Sequence, residues 1–165
     1  QTMGIILEEL GLTGKIPYRF DKRIREWCFG SFDGGYDGDL FMGVMPRVFN
    51  IDYVHQLSYA ELAEGLVEVD TAGWAENWEK LSGRIWQGFS EIAEELEAAG
   101  GGKALVVSHG MTIGTFVYLI NRMQPHGLGN GSVTIVDYED GQFSVVSIGD
   151  MSYREVGAKE LEGEA

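Results

Sequence analysis

Apolar positions recur with helical spacing in three stretches of the chain. Met3, Ile6, Leu7 and Leu10 fall at i, i+3, i+4 and i+7, and Gly11 stands where a helix stop belongs. Trp78, Leu81, Ile85, Phe89, Ile92 and Leu96 share one stripe, which predicts a long amphipathic helix over 74–99 ended by Gly100-Gly101-Gly102. Thr112 to Met123 is apolar nearly all round, the pattern of a buried helix. Ser58-Tyr59-Ala60-Glu61 has the S-x-x-E form of a capping box and predicts a short helix through about Glu64.

The strand signals are fewer. Lys103 to Ser108 (KALVVS) is a short continuous apolar run, as expected for a strand buried on both faces of a parallel sheet. Residues 131–138 and 142–148 alternate, and the Asp140-Gly141 pair between them predicts a hairpin. Part of Lys15 to Glu26 reads as a short strand leading into an irregular stretch, Trp27 to Gly43, rich in Gly, Asp and aromatics. After Tyr153 the chain turns acidic and reads as a loose tail. Helix, strand, helices, strand, helix, hairpin is an α/β order.

Composition narrows the function classes. A length of 165 residues is that of one domain, and 44% hydrophobic residues place the chain among globular proteins. The formal net charge of −14 argues against a nucleic-acid binder or a protein held on anionic lipid. No apolar run approaches the roughly 18 residues of a membrane span. The single cysteine excludes an internal disulfide framework and suits a reducing, cytoplasmic setting. The opening Gln1-Thr2-Met3 has no signal-peptide pattern, and the chain begins at the lip of its first helix.

His109 holds the most informative position. A strand–His–Gly–helix junction places an imidazole beyond the carboxyl end of a strand, where α/β proteins bind ligands. It also sits beside the free N–H groups of a helix N-terminus, which suit an anion. The alternative is a histidine that merely ends a strand. Lys15, Arg19, Lys22, Arg23 and Arg25 gather before Glu26 and read as a solvated basic edge sooner than as a phosphate site. Cys28 between Trp27 and Phe29 reads as a buried thiol, and position 34, where a cysteine phosphatase needs Arg, is Gly34. Ser108 is no nucleophile elbow because position 106 is Val106. Asp33, Asp37 and Asp39 lack the closing Glu of an EF-hand, and His55 and His126 have no partner at metal-ligand spacing. Neither a P-loop nor a G-x-G-x-x-G occurs.

Lys103 to Thr112 (KALVVSHGMT), followed by an apolar helix, resembles the second histidine motif of the histidine phosphatase superfamily, the phosphoglycerate mutase-like fold. Ile24 to Gly34 (IREWCFGSFDG) resembles that family's L-x-E-x-x-x-G-x-x-[DE]-G segment. Gly129-Asn130-Gly131-Ser132-Val133 and Asp150-Met151-Ser152-Tyr153 match in order as well. The resemblance runs from residue 1 to about 155. It implies a three-layer α/β/α sandwich with a mostly parallel central sheet, one domain over 1–155 and an acidic tail over 156–165.

It further implies that Glu26 is the general acid protonating the leaving oxygen and His109 the second active-site histidine. The N–H groups of Gly110 and Met111 would help hold the phosphate, and Arg25, facing away from Glu26 in extended backbone, is a secondary candidate for substrate contact. The family's nucleophile is a histidine in an Arg-His-Gly motif that this sequence does not contain, and Gln1-Thr2 resembles the end of a segment following it. The resemblance therefore places the nucleophile, with its strand, outside the chain. The implied function is a metal-independent, cofactor-free phosphatase acting on small phosphate monoesters through a phosphohistidine. Alternatives are a phosphoglycerate-type mutase, or an inactive member that binds phosphorylated ligands or proteins. A small phosphorylated substrate is the expected partner, and a homodimer is left open.

Overall fold

The computed structural model describes residues 1–163. Helix α1 (Thr2–Glu9) buries Leu7 and ends as its periodicity predicts. Gly11 takes the left-handed conformation, φ 62°, while its N–H donates to Glu8 O and that of Leu12 to Leu7 O. Between Lys22 and Phe32 two single 3₁₀ turns appear, Lys22–Ile24 and Gly30–Phe32, where the sequence predicts a strand and a loop. The predicted loop also contains a π-helical turn, Asp39–Val44, continuing into α2 (Met45–Phe49).

Helix α3 (Tyr59–Val69) begins at the predicted capping box and runs past Glu64. Ser58 N–H donates to the Glu61 carboxylate at 2.8 Å, and Glu61 N–H returns a bond to Ser58 Oγ at 3.2 Å. Helix α4 (Trp78–Ala98) starts four residues later than its stripe suggests, with Asn77 as cap. The delay has a cause. The N–H groups of Ala72, Trp74 and Ala75 all donate to the Asp70 carboxylate, which folds that stretch into a turn.

Helix α5 (Gly110–Asn121) packs on α4, and the hairpin of β1 (Val133–Glu139) and β2 (Gln142–Asp150) packs on α5. Phe116 joins the three: its ring stacks on Phe89 of α4 with centroids 4.1 Å apart and meets Phe143 of β2 edge-on at 5.0 Å. Trp27, Leu40, Met45, Leu62, Leu66, Leu81 and Ile85 fill the adjoining core. Asp140 and Gly141, at φ 51° and 76°, make the tight hairpin turn that their sequence predicts.

Three expectations are corrected. The only sheet among the described residues is the antiparallel β1–β2 pair, so the parallel sheet is not present there. Lys103 to Ser108 is extended but joins no ladder, and Leu105 is 61% exposed. A continuous apolar run forms a buried strand only between flanking strands, and among the described residues none lies beside it. The acidic tail is also not loose. It forms α6 (Ser152–Gly163), and the last two residues lie outside the described region.

Candidate active site

The segment from Arg23 to Glu26 carries no ladder bonds, yet each of its four carbonyls accepts a hydrogen bond from a side chain. Arg84 of α4 supplies three of them, donating to Arg23 O at 2.7 Å, Arg25 O at 3.0 Å and Glu26 O at 3.0 Å. Ser108 Oγ donates to Ile24 O at 2.7 Å, and Thr112 Oγ1 donates to Arg25 O at 2.7 Å. Side-chain donors thus satisfy the carbonyls through the end of the Lys22–Ile24 turn and the residues that follow it, in place of a neighbouring strand.

Arg84 is held in turn by Glu76. The two form a paired salt bridge, Nη2 to Oε2 at 2.7 Å with Nε 3.0 Å from both oxygens, and Glu76 is almost wholly buried. Arg25 reaches the same carboxylate at 2.6 Å. Arg25 is therefore directed at Glu76, away from the neighbouring Glu26. The other arginines of the basic stretch behave alike: Arg23 pairs with Asp21 and Glu91, and Arg19 with Glu95. The three arginines of the stretch are thus engaged by Asp21, Glu76 and the α4 residues Glu91 and Glu95.

The clamp delivers Glu26 to the N-terminus of α5. Its Oε1 accepts from Trp27 N–H at 3.0 Å and Thr112 N–H at 3.0 Å, and its Oε2 from Met111 N–H at 3.3 Å. A carboxylate is well placed there, since the first N–H groups of a helix have no partner in the helix itself and carry partial positive charge. His109 is the N-cap residue of α5, extended and exposed, and its side chain makes no capping bond. Glu26 and His109, far apart in the sequence, thus meet at one helix end. Gly110 N–H has no hydrogen-bond partner among the described residues, whereas Met111 N–H, which the resemblance assigns to phosphate, is turned toward Glu26.

Tyr59 backs the site. Its ring lies edge-on to Trp27 at 5.8 Å, and its hydroxyl donates to Pro125 O at 2.7 Å. Gly114 permits this, because a Cβ at that position would overlap the Tyr59 hydroxyl. Burial, and behind it the charge of Glu26, push the phenol up to about 12. Cys28 lies apart from this chemistry: burial raises its thiol, and Sγ meets the Asp33 carboxylate at 3.4 Å. Among the described residues no three His, Cys, Asp or Glu side chains converge as a metal site would require. No helix is long and apolar enough to cross a membrane.

The sequence reading missed Arg84, Glu76 and the meeting of His55 with His126. A buried Glu-Arg pair leaves only one trace in the sequence, an Arg beside the apolar stripe of α4.

The family model of the histidine phosphatase superfamily (branch 1) matches residues 45–151. The chain belongs to the histidine phosphatase superfamily. The matched span contains His109 and α5, and Glu26 precedes it. Among solved structures, the chain is similar to phosphoglycerate mutase from Bacillus anthracis str. Sterne, with 31% identity and a TM-score of 0.86 over 95% of this chain and 70% of that one. This establishes the α/β, phosphoglycerate mutase-like fold of this superfamily member. No curated protein sequence matches significantly.

Two outcomes follow from the clamp. Arg84→Met leaves a buried carboxylate with half its partners, and chemical denaturation should show a loss of about 3–5 kcal/mol; a loss below about 1 kcal/mol would contradict the role given to Arg84. The second concerns pH. Burial pushes Glu76 up, but Arg84 and then Arg25 more than offset it, so the folded-state value lies below the ordinary 4.5. On acidification the unfolded chain then takes up its proton first. The stabilisation is full above the unfolded value and is lost as pH falls through the folded one. Glu76→Gln should therefore lose less further stability than the parent between neutral pH and about pH 3; equal losses would exclude Glu76 as a source of acid sensitivity.

Proposed function

We propose that this member is a phosphatase of small phosphate monoesters working through a phosphohistidine. The observation that carries the reading is the placement of Glu26 on the N–H groups of Met111 and Thr112, next to His109. Both residues are picked out by the superfamily's motifs, and they meet at an end of a helix suited to anions. In this reading the nucleophilic histidine comes from outside residues 1–165. Its ring nitrogen forms a P–N bond as the ester P–O bond breaks, and Glu26 passes a proton to the leaving alcohol oxygen. Water then attacks phosphorus, the P–N bond breaks, and Glu26 takes the water's proton as inorganic phosphate leaves. His109 and the Gly110 N–H meet the charge that develops on the phosphoryl oxygens.

The two oxygens of Glu26 are not equally engaged. Oε1 is occupied by two N–H donors, while Oε2 has only the longer bond from Met111, so Oε2 is the oxygen left to take and give a proton. Thr112 Oγ1, whose proton goes to Arg25 O, lies 3.1 Å from Oε1. Arg25, engaged by Glu76, has no part in this reading.

A mutase is the second reading, favoured by the name of the similar structure. Product analysis separates the two: a phosphatase releases inorganic phosphate, whereas a mutase returns the phosphoryl group to another position of the substrate.

His109→Ala and Glu26→Gln in the intact protein should each lower kcat by about 10²–10⁴-fold with the fold unchanged by circular dichroism. Residues 1–165 alone should show no steady-state turnover. Unchanged rates in both variants would refute the assignment of these roles.

A further inference from the structure

A cavity of about 230 Å³ opens beside the N-terminus of α5. Met111, whose N–H meets Glu26, forms part of its wall, and Phe41, Val54, Tyr59 and Leu62 are among its apolar lining. Phe41 belongs to the π-helical turn over Asp39–Val44, a distortion found often at functional sites. An apolar protein cavity of roughly 150 Å³ is enough to hold benzene, so this one has room for a single substituted ring.

The polar groups of the wall are mostly engaged. Gln124 accepts from Tyr59 N–H at 3.0 Å through Oε1 and donates to Leu57 O at 2.8 Å through Nε2. The Tyr59 hydroxyl donates to Pro125 O. Two imidazoles are left. His55 and His126 come from distant parts of the chain, yet their rings meet edge to face with centroids 5.8 Å apart. Tyr53 stacks on His55 at 5.3 Å and steadies it. Both histidines are exposed at the rim, and among the described residues neither has a hydrogen-bond partner. A cavity with an apolar floor and two unengaged imidazoles at its mouth matches a flat apolar body carrying an acceptor group at one end.

Resting on the phosphate-ester reading above, we propose that this cavity receives the alcohol portion of the substrate, a small aromatic group whose carboxylate is held by His55 and His126. The Met111 wall brings that group to the side of Glu26 from which the leaving oxygen would be protonated. Specificity then lies in Phe41, His55 and His126, while Glu26 and His109 serve any ester that fits.

The test uses para-hydroxybenzoate and phenol, which lack phosphorus and so report on the cavity independently of turnover. In the intact protein, the imidazole NMR signals of His55 and His126 are assigned with the His55→Phe and His126→Phe variants and followed during each titration. Para-hydroxybenzoate should shift both signals saturably and bind about tenfold tighter than phenol. The double Phe variant, which keeps ring volume but removes the N–H donors, should abolish that preference. Unmoved signals, or equal affinity for the two compounds in the parent protein, would overturn the proposal. The same protein is then assayed on para-carboxyphenyl phosphate. Saturable binding without hydrolysis of this or any other ester would overturn the phosphatase reading while retaining the cavity as an aryl-carboxylate site.

Discussion

The Arg84–Glu76 pair is the constraint on which the site depends. A guanidinium presents its donors in a rigid fork, and here the fork is divided between one buried carboxylate and three consecutive-segment carbonyls. Lysine cannot reproduce that division, because a single ammonium lacks the planar spread. The carbonyls belong to the stretch that carries Glu26, so the path of the main chain and the direction of the acid are set by one side chain from α4. Ser108 and Thr112 complete the arrangement from the α5 side. The buried carboxylate is paired with two arginines, which makes the clamp sensitive to the loss of either partner.

That constraint gives the helix end its chemistry. The N-terminus of α5 attracts negative charge, and the protein's own Glu26 is the first to answer. The carboxyl is thus seated beside His109, with Oε1 bonded to two N–H groups and Oε2 to one, at the longer distance of 3.3 Å. Arg25, one residue away, is drawn to the opposite side by Glu76. Its alternation with Glu26 is the ordinary consequence of extended backbone, and the clamp makes it permanent.

The parts legible in the sequence were those encoded locally. The Ser58–Glu61 box, the stripe of α4, the stop at Gly11 and the Asp140-Gly141 turn need only their neighbours in the chain, and each is present, although α4 begins four residues later than expected. Lys103 to Ser108 went otherwise, because burial of a strand is a property of what flanks it. The tail was misjudged for a different reason: its acidity suggested solvation, while its Ala, Glu, Leu and Lys content favours helix and prevailed in α6. At the site, His109 could be read from its junction, but Glu26 was found through motif resemblance. Nothing in the spacing of Glu26, Glu76, Arg84 and Thr112 says that they converge. The same holds for His55 and His126, whose distance in sequence hid a ring contact.

The central claim is that Glu26, placed by this clamp, hands a proton to the departing oxygen. The most direct measurement is kcat/KM for aryl and alkyl phosphates of graded leaving-group acidity, in the intact parent protein and in Glu26→Gln. With the acid present, the rate should vary little with the leaving group, because the oxygen departs protonated. Without it, poor leaving groups should slow steeply while activated esters are nearly spared. Parallel dependences in the two proteins would show that Glu26 does not protonate the leaving group.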